Sequence, residues 1–439
     1  MSKVILVGAG SHFTLPLLGD FLRVGLSDIE LTLMDIDEKR LKFIENVVLS
    51  TVKRYKIDVR VTSTTDLREA LENANFVICS IRVGGIRAQV LQLEVPLRYG
   101  IIHTVGDTTG PSGVLKALLE IPAIMEIAYA MEDICPKATL LNFSNPMTPI
   151  CMAIANYTKV NVVGLCHGVF HMVSLASKLL EMSEKSIEVI AAGINHLTWT
   201  LDIRRDNTSI HREVIKELFN EDKEQVIRDH PYIIGREIYS IFKALPTLND
   251  RHTAEFFPYL NSWLREKEVM RILNKGSLID LVERKVKETV LKRSEYLRER
   301  LMKMKEGLIP LKPSKEYAID IINCVISSKF KFLLAANLKN EGYISNLPDY
   351  AVVEVPAIAT PWGVRGVGIG KLPEWPSLVL KQHLIKFKTL VEGIIERDKD
   401  LIVQAIALDP LVNSIKVAKL ILSDFLKACK GLRLNTSLN

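Results

Sequence analysis

The sequence has few cysteines, and no two of them lie close together. Its 439 residues contain six, and none belong to a CxxC pair: Cys79, Cys135, Cys151, Cys166, Cys324 and Cys429. A small secreted domain that depends on disulfides is much richer in cysteine than this. The pattern argues against a disulfide framework and predicts reduced thiols inside the cell.

Long apolar runs and blocks of one charge are also missing. No uncharged apolar stretch reaches the roughly 18 residues of a membrane helix, because even the tract 114–131 contains Lys116, Glu120 and Glu126. The sequence opens directly on the strand-like VILVGAG, with no signal segment before it. The net charge is +6, but the basic residues are interspersed with acids. These absences predict a cytoplasmic protein that binds neither membranes nor nucleic acid.

Alternating strand-like and helix-like segments fill the first part of the chain. They run KVILV, TLPLLGDFLRV, LTLMDID, EKRLKFIENVVLSTVKR, VRVTS, DLREALENA and FVICSIR. This alternation predicts an α/β fold, with a Rossmann-like, doubly wound parallel sheet over residues 1–195. Helical patterns dominate after about residue 200 and include 279–306, so residues 196–439 are predicted to form a mixed, helix-rich α+β domain for substrate binding and oligomerisation.

The turn after the first strand indicates a dinucleotide site. Gly8 permits a tight turn, and Gly10 lets backbone N–H groups approach a pyrophosphate. Phe13 takes the place of the usual third glycine, so the motif is incomplete. Asp35 ends the second strand, where it can accept from ribose hydroxyls and repel a 2′-phosphate. NAD is therefore preferred to NADP, with a nucleotide-free doubly wound domain as the alternative.

Polar residues follow two later strands. Asn142 and Asn145 in NFSNP offer donors and acceptors to sugar hydroxyls, although composition alone favours a simple turn. Cys166, followed by His167, and then His196 could hold a divalent metal through sulfur and imidazole nitrogen. Each residue alone is more often structural than a ligand. Thiolate softness by itself would favour zinc or iron over manganese.

Residues 249–257 read NDRHTAEFF and form a dense polar cluster beside two phenylalanines. Residue types alone favour a solvated loop. The sharper hypothesis is a catalytic base together with a guanidinium that binds an anion, which would be Asp250 and Arg251.

Taken together, these motifs resemble glycoside hydrolase family 4. The matching segments extend over nearly the whole chain: VGAGS, LMDID, IRVGG, GDTTGPSG, NFSNPM, GLCHGVF, GINHLTW, NDRHTAEF and NLPDYAVVEVPA. Their order and spacing are specific to this family. The resemblance implies a glycosidase that uses NAD and a divalent metal, typically Mn²⁺, and needs reducing conditions. It also makes Cys166 and His196 the expected metal ligands.

The chemistry that the resemblance implies has no net redox change. NAD oxidises the sugar at C3, a base removes the acidified C2 proton, and the aglycone leaves by elimination. Water then adds and C3 is reduced again. The expected base is Asp250. The residues expected to bind the cofactor are Gly8, Gly10, Ser11, Asp35 and Asn142, and those expected to bind the substrate are Asn145, His167 and Arg251.

The segment at 249–257 also bears on the substrate. Family members that act on phosphorylated glycosides typically place a tyrosine base there, whereas this chain has Asp250. The motifs are most similar to the α-galacturonidase branch, with α-galactosidases next, and Arg251 could bind the uronate carboxylate. The alternatives are an α-glucosidase or α-glucuronidase, a 6-phospho-glycosidase, a lactate/malate-type dehydrogenase and a silent NAD-binding sensor. The family also implies a homodimer or homotetramer.

Overall fold

The structure is a computed structural model of the chain. It describes residues 1–11, 13–260, 286–306, 310–314, 316–432, 434, 436 and 438. Within these residues, thirteen strands form one sheet in the order β10-β8-β7-β12-β11-β6-β5-β4-β1-β2-β3, with β13 paired to β12 and β9 to β8.

The first six strands form the predicted Rossmann-like part. They are β1 (Ser2–Val7), β2 (Ile29–Met34), β3 (Val59–Thr64), β4 (Phe76–Cys79), β5 (Thr139–Asn142) and β6 (Asn161–Gly164). All neighbours among them are parallel, in the order 3-2-1-4-5-6. This order is that of dinucleotide-binding sheets, whose ligands lie beyond the carboxyl ends of the strands. The predicted fold class is confirmed.

The first seven helices connect or flank these strands. They are α1 (Thr14–Val24), α2 (Glu38–Tyr55), α3 (Leu67–Leu71), α4 (Gly85–Arg98), α5 (Gly110–Ile134), α6 (Met147–Tyr157) and α7 (Phe170–Leu179). Asp37 caps α2 by accepting from the backbone N–H of Arg40 at 3.0 Å. The apolar tract noted in the sequence lies within α5, most of which is buried.

The remaining strands extend the same sheet in antiparallel pairing. They are β7 (Glu188–Ile194), β8 (Leu197–Arg205), β9 (Thr208–Ser209), β10 (Leu245–Pro246), β11 (Lys331–Lys339), β12 (Val352–Thr360) and β13 (Gly363–Gly366). The predicted domain boundary after residue 195 falls in the turn of the β7–β8 hairpin, and β11 pairs with β6. The two-domain division therefore stays a prediction.

Helices dominate the second half, as predicted. They are α8 (His211–Leu218), α9 (Glu224–Asp229), α10 (Ile233–Phe242), α11 (Asp250–Thr253), α12 (Val286–Lys305), α13 (Ala318–Ile326), α14 (Glu374–Ile395), α15 (Lys399–Ala407) and α16 (Ile415–Gly431). The predicted helix 279–306 corresponds to α12, and its positions 279–285 lie outside the described residues.

Two large apolar clusters pack against the sheet. One contains side chains of α1, α2 and α13, and the other contains side chains of α5, α6, α14 and α16. Burial of this apolar surface is the main stabilising contribution to the fold. Among the helices that the structure describes, none is long and apolar enough to cross a membrane.

Candidate active site

Cys166 and His196 lie side by side. Cys166 follows the carboxyl end of β6, and His196 lies in the tight turn between β7 and β8. The Sγ atom of Cys166 is 3.4 Å from Nε2 of His196. His196 has φ = 129°, a conformation that costs energy for a residue with a side chain and that is often found at functional sites. The strand ends thus bring together two residues that are 30 positions apart in the sequence.

The other ring nitrogen of His196 faces the GDTTGPSG segment. Its Nδ1 atom is 2.7 Å from Oγ1 of Thr108, which in turn donates to Oδ1 of Asp107 at 2.9 Å. Burial lowers the pKa of His196 to about 4, and the Asp107 carboxylate only partly offsets this effect. His196 is therefore neutral near pH 7, with one ring nitrogen available as a ligand.

Three more histidine rings form a row that begins at His196. The ring of His252 lies edge-on to His196 with centroids 4.3 Å apart, His171 is 6.2 Å from His252, and His167 is 6.1 Å from His171. The Nδ1 atom of His167 is 2.8 Å from Oε1 of Glu316. The His167 side chain is exposed, so it can meet a ligand at the rim of this site.

The thiol of Cys166 lies among acidic groups. Burial raises its pKa well above the ordinary value, and the Glu354 and Glu316 carboxylates raise it further. Glu354 is itself buried and accepts from the side-chain amides of Asn195 and Asn337, both at 2.9 Å. A bound cation would offset these effects and favour the thiolate, because a metal deprotonates the thiol that ligates it.

Sulfur and imidazole nitrogen at 3.4 Å fit a divalent ion that is held by two protein ligands. The described residues contain no cluster of three or more His, Cys, Asp or Glu side chains arranged to hold a metal. Such an ion would need further ligands from substrate oxygens or water. Coordination positions left open to substrate or water are typical of catalytic metal sites, whereas structural sites are closed by protein ligands.

Asp250 begins α11 and is fully buried. Its two carboxylate oxygens accept from the backbone N–H groups of Ile234 and Gly235, both at 2.9 Å, at the start of α10. The backbone N–H of Ile233 also contributes a hydrogen bond to this carboxylate. Burial raises the pKa of Asp250 to about 7, against the opposing effect of those hydrogen bonds. A carboxylate with a pKa near neutrality suits a general base.

The turn that follows β1 is tight. Gly8 has φ = 84°, and a Cβ atom there would lie 2.4 Å from the carbonyl oxygen of Ser80. The backbone N–H of Gly10 donates to Asp35 at 2.8 Å, and the hydroxyl of Ser11 is buried without a partner among the described residues. The N-terminus of α1 has no side-chain cap. A tight glycine turn before an uncapped helix start fits a pyrophosphate.

The two asparagines of NFSNP have different surroundings. Asn142 is fully buried, and its amide bonds to both backbone groups of Ser144, so in this structure it supports the loop. The Oδ1 atom of Asn145 is buried and has no hydrogen-bond partner among the described residues. A buried acceptor without a protein partner is a candidate ligand contact. The assignments of Asn142 to the cofactor and of Asn145 to the substrate stay predictions.

Some site residues had no role assigned from the sequence. Asp107 and Thr108 lie in the GDTTGPSG segment, whose only signal was its resemblance to the family. Nothing in the sequence indicated a role for Glu316, because it belongs to no motif and lies 149 positions from His167, which it contacts. Asp107 also interacts electrostatically with Lys116, His196 and His252. These three groups lower the pKa of the Asp107 carboxyl, although burial alone would raise it.

The chain matches a known family of glycosyl hydrolases. Residues 3–182 match the family 4 glycosyl hydrolases, and residues 191–412 match their C-terminal domain. An α-galactosidase of Bacillus subtilis is 32% identical, with 98% of this chain and 97% of the relative covered. An α-galacturonidase of Lachnoclostridium phytofermentans is 28% identical, with 98% and 96% covered.

A solved structure shows the same fold. The 6-phospho-beta glucosidase of Thermotoga maritima, solved with manganese, NAD+ and glucose-6-phosphate, superposes with a TM-score of 0.78 at 22% identity, and 98% of each chain is covered. The resemblance seen in the sequence is therefore confirmed. The chain belongs to family 4 of the glycosyl hydrolases and is a glycosidase.

Proposed function

We propose that this glycosidase depends on NAD and Mn²⁺ and cleaves α-linked, unphosphorylated sugars, with α-galacturonides as its substrates. The observation that carries the proposal is the Cys166–His196 pair, with Sγ and Nε2 3.4 Å apart. Cys166 follows β6 at the carboxyl edge of the parallel strands that also bear the Gly8–Gly10 turn, and His196 reaches it from the antiparallel β7–β8 hairpin. Manganese and NAD+ in the solved Thermotoga relative support the choice of cofactors.

The residues have distinct roles in this proposal. When bound, NAD would exchange a hydride with the sugar at C3, and the metal would polarise the oxygens at C2 and C3. Cys166 and His196 would hold the ion, and the turn at Gly8, Gly10 and Ser11 would hold the pyrophosphate. Asp250 would take the C2 proton, since its raised pKa of about 7 matches that task.

Asp107 is the rival base. Thr108 connects it by hydrogen bonds to His196 of the proposed metal pair. Its pKa is lowered by Lys116, His196 and His252. A carboxylate with a low pKa is a weak proton acceptor, so Asp250 is the better candidate.

The choice of a uronide rests on Arg251. Arg251 is half-buried next to His252, whose ring contacts His196, and its Nη2 atom donates to the backbone carbonyl of Thr104 at 3.3 Å. A guanidinium beside the site suits a sugar carboxylate. A second candidate, α-galactoside hydrolysis, is favoured by the 32% identity to the Bacillus subtilis α-galactosidase.

Arg251→Lys should separate these two substrates. We expect kcat/KM for an α-galacturonide to fall about tenfold to hundredfold, because hydrogen bonds to a charged group contribute about 1.5–3 kcal/mol and lysine lacks the planar fork. Hydrolysis of an α-galactoside should change little. Arg204→Lys, in a pair with Asp202 on β8, is the control. An equal loss on both sugars would show that Arg251 only supports the fold.

Cys166→Ser should weaken the binding of Mn²⁺ at least tenfold, because it replaces a thiolate with a hydroxyl that stays protonated. Calorimetric titration of the metal measures this without turnover. Cys324→Ser, at a buried cysteine in α13, is the matched control and should bind Mn²⁺ like the wild type. Equal affinity in both variants would remove Cys166 from the ligand set.

The proposed function is tested by NMR of the products of α-1,4-digalacturonate in D₂O, with NAD, Mn²⁺ and a thiol reductant. Galacturonate with deuterium at C2 is expected, because the C2 proton exchanges with solvent before water adds. Labelled products from α-galactosides alone would keep the mechanism and change the sugar. Hydrolysis without deuterium would refute the mechanism.

A further inference from the structure

A directed chain of hydrogen bonds runs through His196. From one end it comprises Sγ of Cys166, Nε2 and Nδ1 of His196, Oγ1 of Thr108 and Oδ1 of Asp107. The successive distances are 3.4, 2.7 and 2.9 Å. Asp107 cannot donate when ionised, so the single hydroxyl hydrogen of Thr108 points to it.

The direction of that bond fixes the next one. The only hydroxyl hydrogen of Thr108 is donated to Asp107, so the Thr108 oxygen can only accept a hydrogen bond from His196. Nδ1 of His196 must therefore carry the ring proton. A neutral imidazole has one N–H, so Nε2 is left with a lone pair that faces Cys166. An imidazole that ligates a metal must be neutral, and this tautomer meets that requirement.

We propose that Thr108 is a positioning residue, which holds His196 as the Nδ1–H tautomer and so presents Nε2 to a divalent metal beside the Cys166 sulfur. Thr108 itself touches neither substrate nor metal in this proposal. The inference deepens the proposed function, since it rests on the Cys166–His196 metal site. Metal-ligating histidines generally need such a partner on the other ring nitrogen.

The backbone around Thr108 is held from several sides. One carboxylate oxygen of Glu255 accepts from the N–H groups of Val105 and Gly106, both at 2.7 Å. The hydroxyl of Ser112 donates to the carbonyl of Gly106 at 2.7 Å. The next residue, Thr109, bonds to the buried Lys386 of α14. Loss of one anchor should therefore leave the segment in place, so the Thr108 hydroxyl can be tested by itself.

The test compares Thr108→Val, which removes the hydroxyl at nearly constant volume, with Thr108→Ser, which keeps it. Thr109→Val is the matched control, because it removes the neighbouring buried hydroxyl from the same segment. The tautomer is read by ¹H–¹⁵N correlation NMR on metal-free protein with ¹⁵N-labelled histidine. The His196 signals are assigned from the His196→Gln spectrum, and circular dichroism checks the fold.

The expected result has two parts. The wild type, Thr108→Ser and Thr109→Val should show the Nδ1–H form of His196, and Thr108→Val should lose it. The affinity for Mn²⁺, measured by calorimetry without substrate, should fall about 10–100-fold in Thr108→Val and recover in Thr108→Ser.

Two results would overturn the inference. An unchanged Nδ1–H form in Thr108→Val would show that Thr108 does not set the tautomer, and an equal change in Thr109→Val would attribute the effect to the whole segment. A wild type that binds no Mn²⁺ would instead refute the proposed metal site. The NMR comparison would still decide the role of Thr108 in that case, so the two failures are distinguishable.

Discussion

Asp250→Asn should lower kcat by about 10²–10⁴-fold and abolish the exchange of the sugar C2 proton with solvent, while NAD still binds. The magnitude is the usual contribution of a general base. The amide cannot accept a proton at C2, whereas the cofactor turn at Gly8 and Gly10 is built from other residues. The measurement is deuterium incorporation at C2 in single turnovers, together with calorimetry of NAD.

The pH dependence supplies a second readout for the same residue. A base must be ionised to act, and burial raises the pKa of Asp250 to about 7. The rate should therefore fall as the pH drops through about 7, at saturating metal. If Asp107 were the base, the fall would lie at much lower pH, because neighbouring cations lower the pKa of that carboxyl.

The structural role of Asp250 must be separated from the chemical one. Its carboxylate accepts from two backbone N–H groups at the start of α10, and an amide nitrogen there would face a donor. Asp66→Asn is the matched control, since Asp66 also accepts from two N–H groups, those of Arg68 and Glu69 at the start of α3. Full exchange of the C2 proton in folded Asp250→Asn would exclude Asp250 as the base. Loss of this exchange in Asp107→Asn alone would identify Asp107 as the base.

The sequence predicts that Cys166 follows a strand end, but only the resemblance to the family made Cys166 and His196 expected metal ligands. His196 lies in the antiparallel β7–β8 hairpin, which the alternating pattern did not predict. Apolar strands separated by helical periods imply a parallel sheet, and such a sheet gathers its carboxyl ends at one edge. The turn at Gly8 and the acid at Asp35 were predictable for the same reason, since both follow strands. The local sequence pattern was enough to predict the position of a functional residue wherever that residue directly follows a strand.

The same pattern could not predict contacts that depend on distant packing. His252 lies against His196 and Glu316 meets His167 because separate elements cross the sheet edge, and no period in the sequence encodes that crossing. The resemblance to the family predicted Asp250 as the base. The hydrogen bonds of Asp250 to the start of α10 were not predictable, because they depend on the path of the chain between the two segments. Composition favoured a solvated loop there, whereas Asp250 is fully buried.

Lys386 is the clearest polar residue that apolar periodicity could not predict. It lies in α14 with no solvent exposure, and its ammonium group donates to Asp409 at 2.7 Å, to His383 at 3.3 Å and to the hydroxyl of Thr109. Three donors thus have three acceptors. Burial lowers the pKa of Lys386, while the ionised Asp409 opposes that effect.

Lys386→Met should destabilise the protein by about 3–5 kcal/mol, because it leaves Asp409 buried without its cation. The measurement is the midpoint of urea unfolding at pH 7. Lys386→Met/Asp409→Leu should recover most of the loss, since an apolar pair in place of a buried ion pair is often neutral. Lys42→Met, which breaks the exposed pair with Glu45, should cost only about 0–1 kcal/mol.

The loss of folding stability in Lys386→Met, relative to the wild type, should also become smaller as the pH falls. Burial raises the pKa of Asp409 and Lys386 lowers it, so without Lys386 the carboxyl should titrate above its unfolded value. The folded variant then binds more protons than the unfolded one, and its stability relative to the wild type rises on acidification. A loss that stays constant from pH 8 to pH 5 would mean that Asp409 finds another partner, and that the buried charge is not what destabilises the variant.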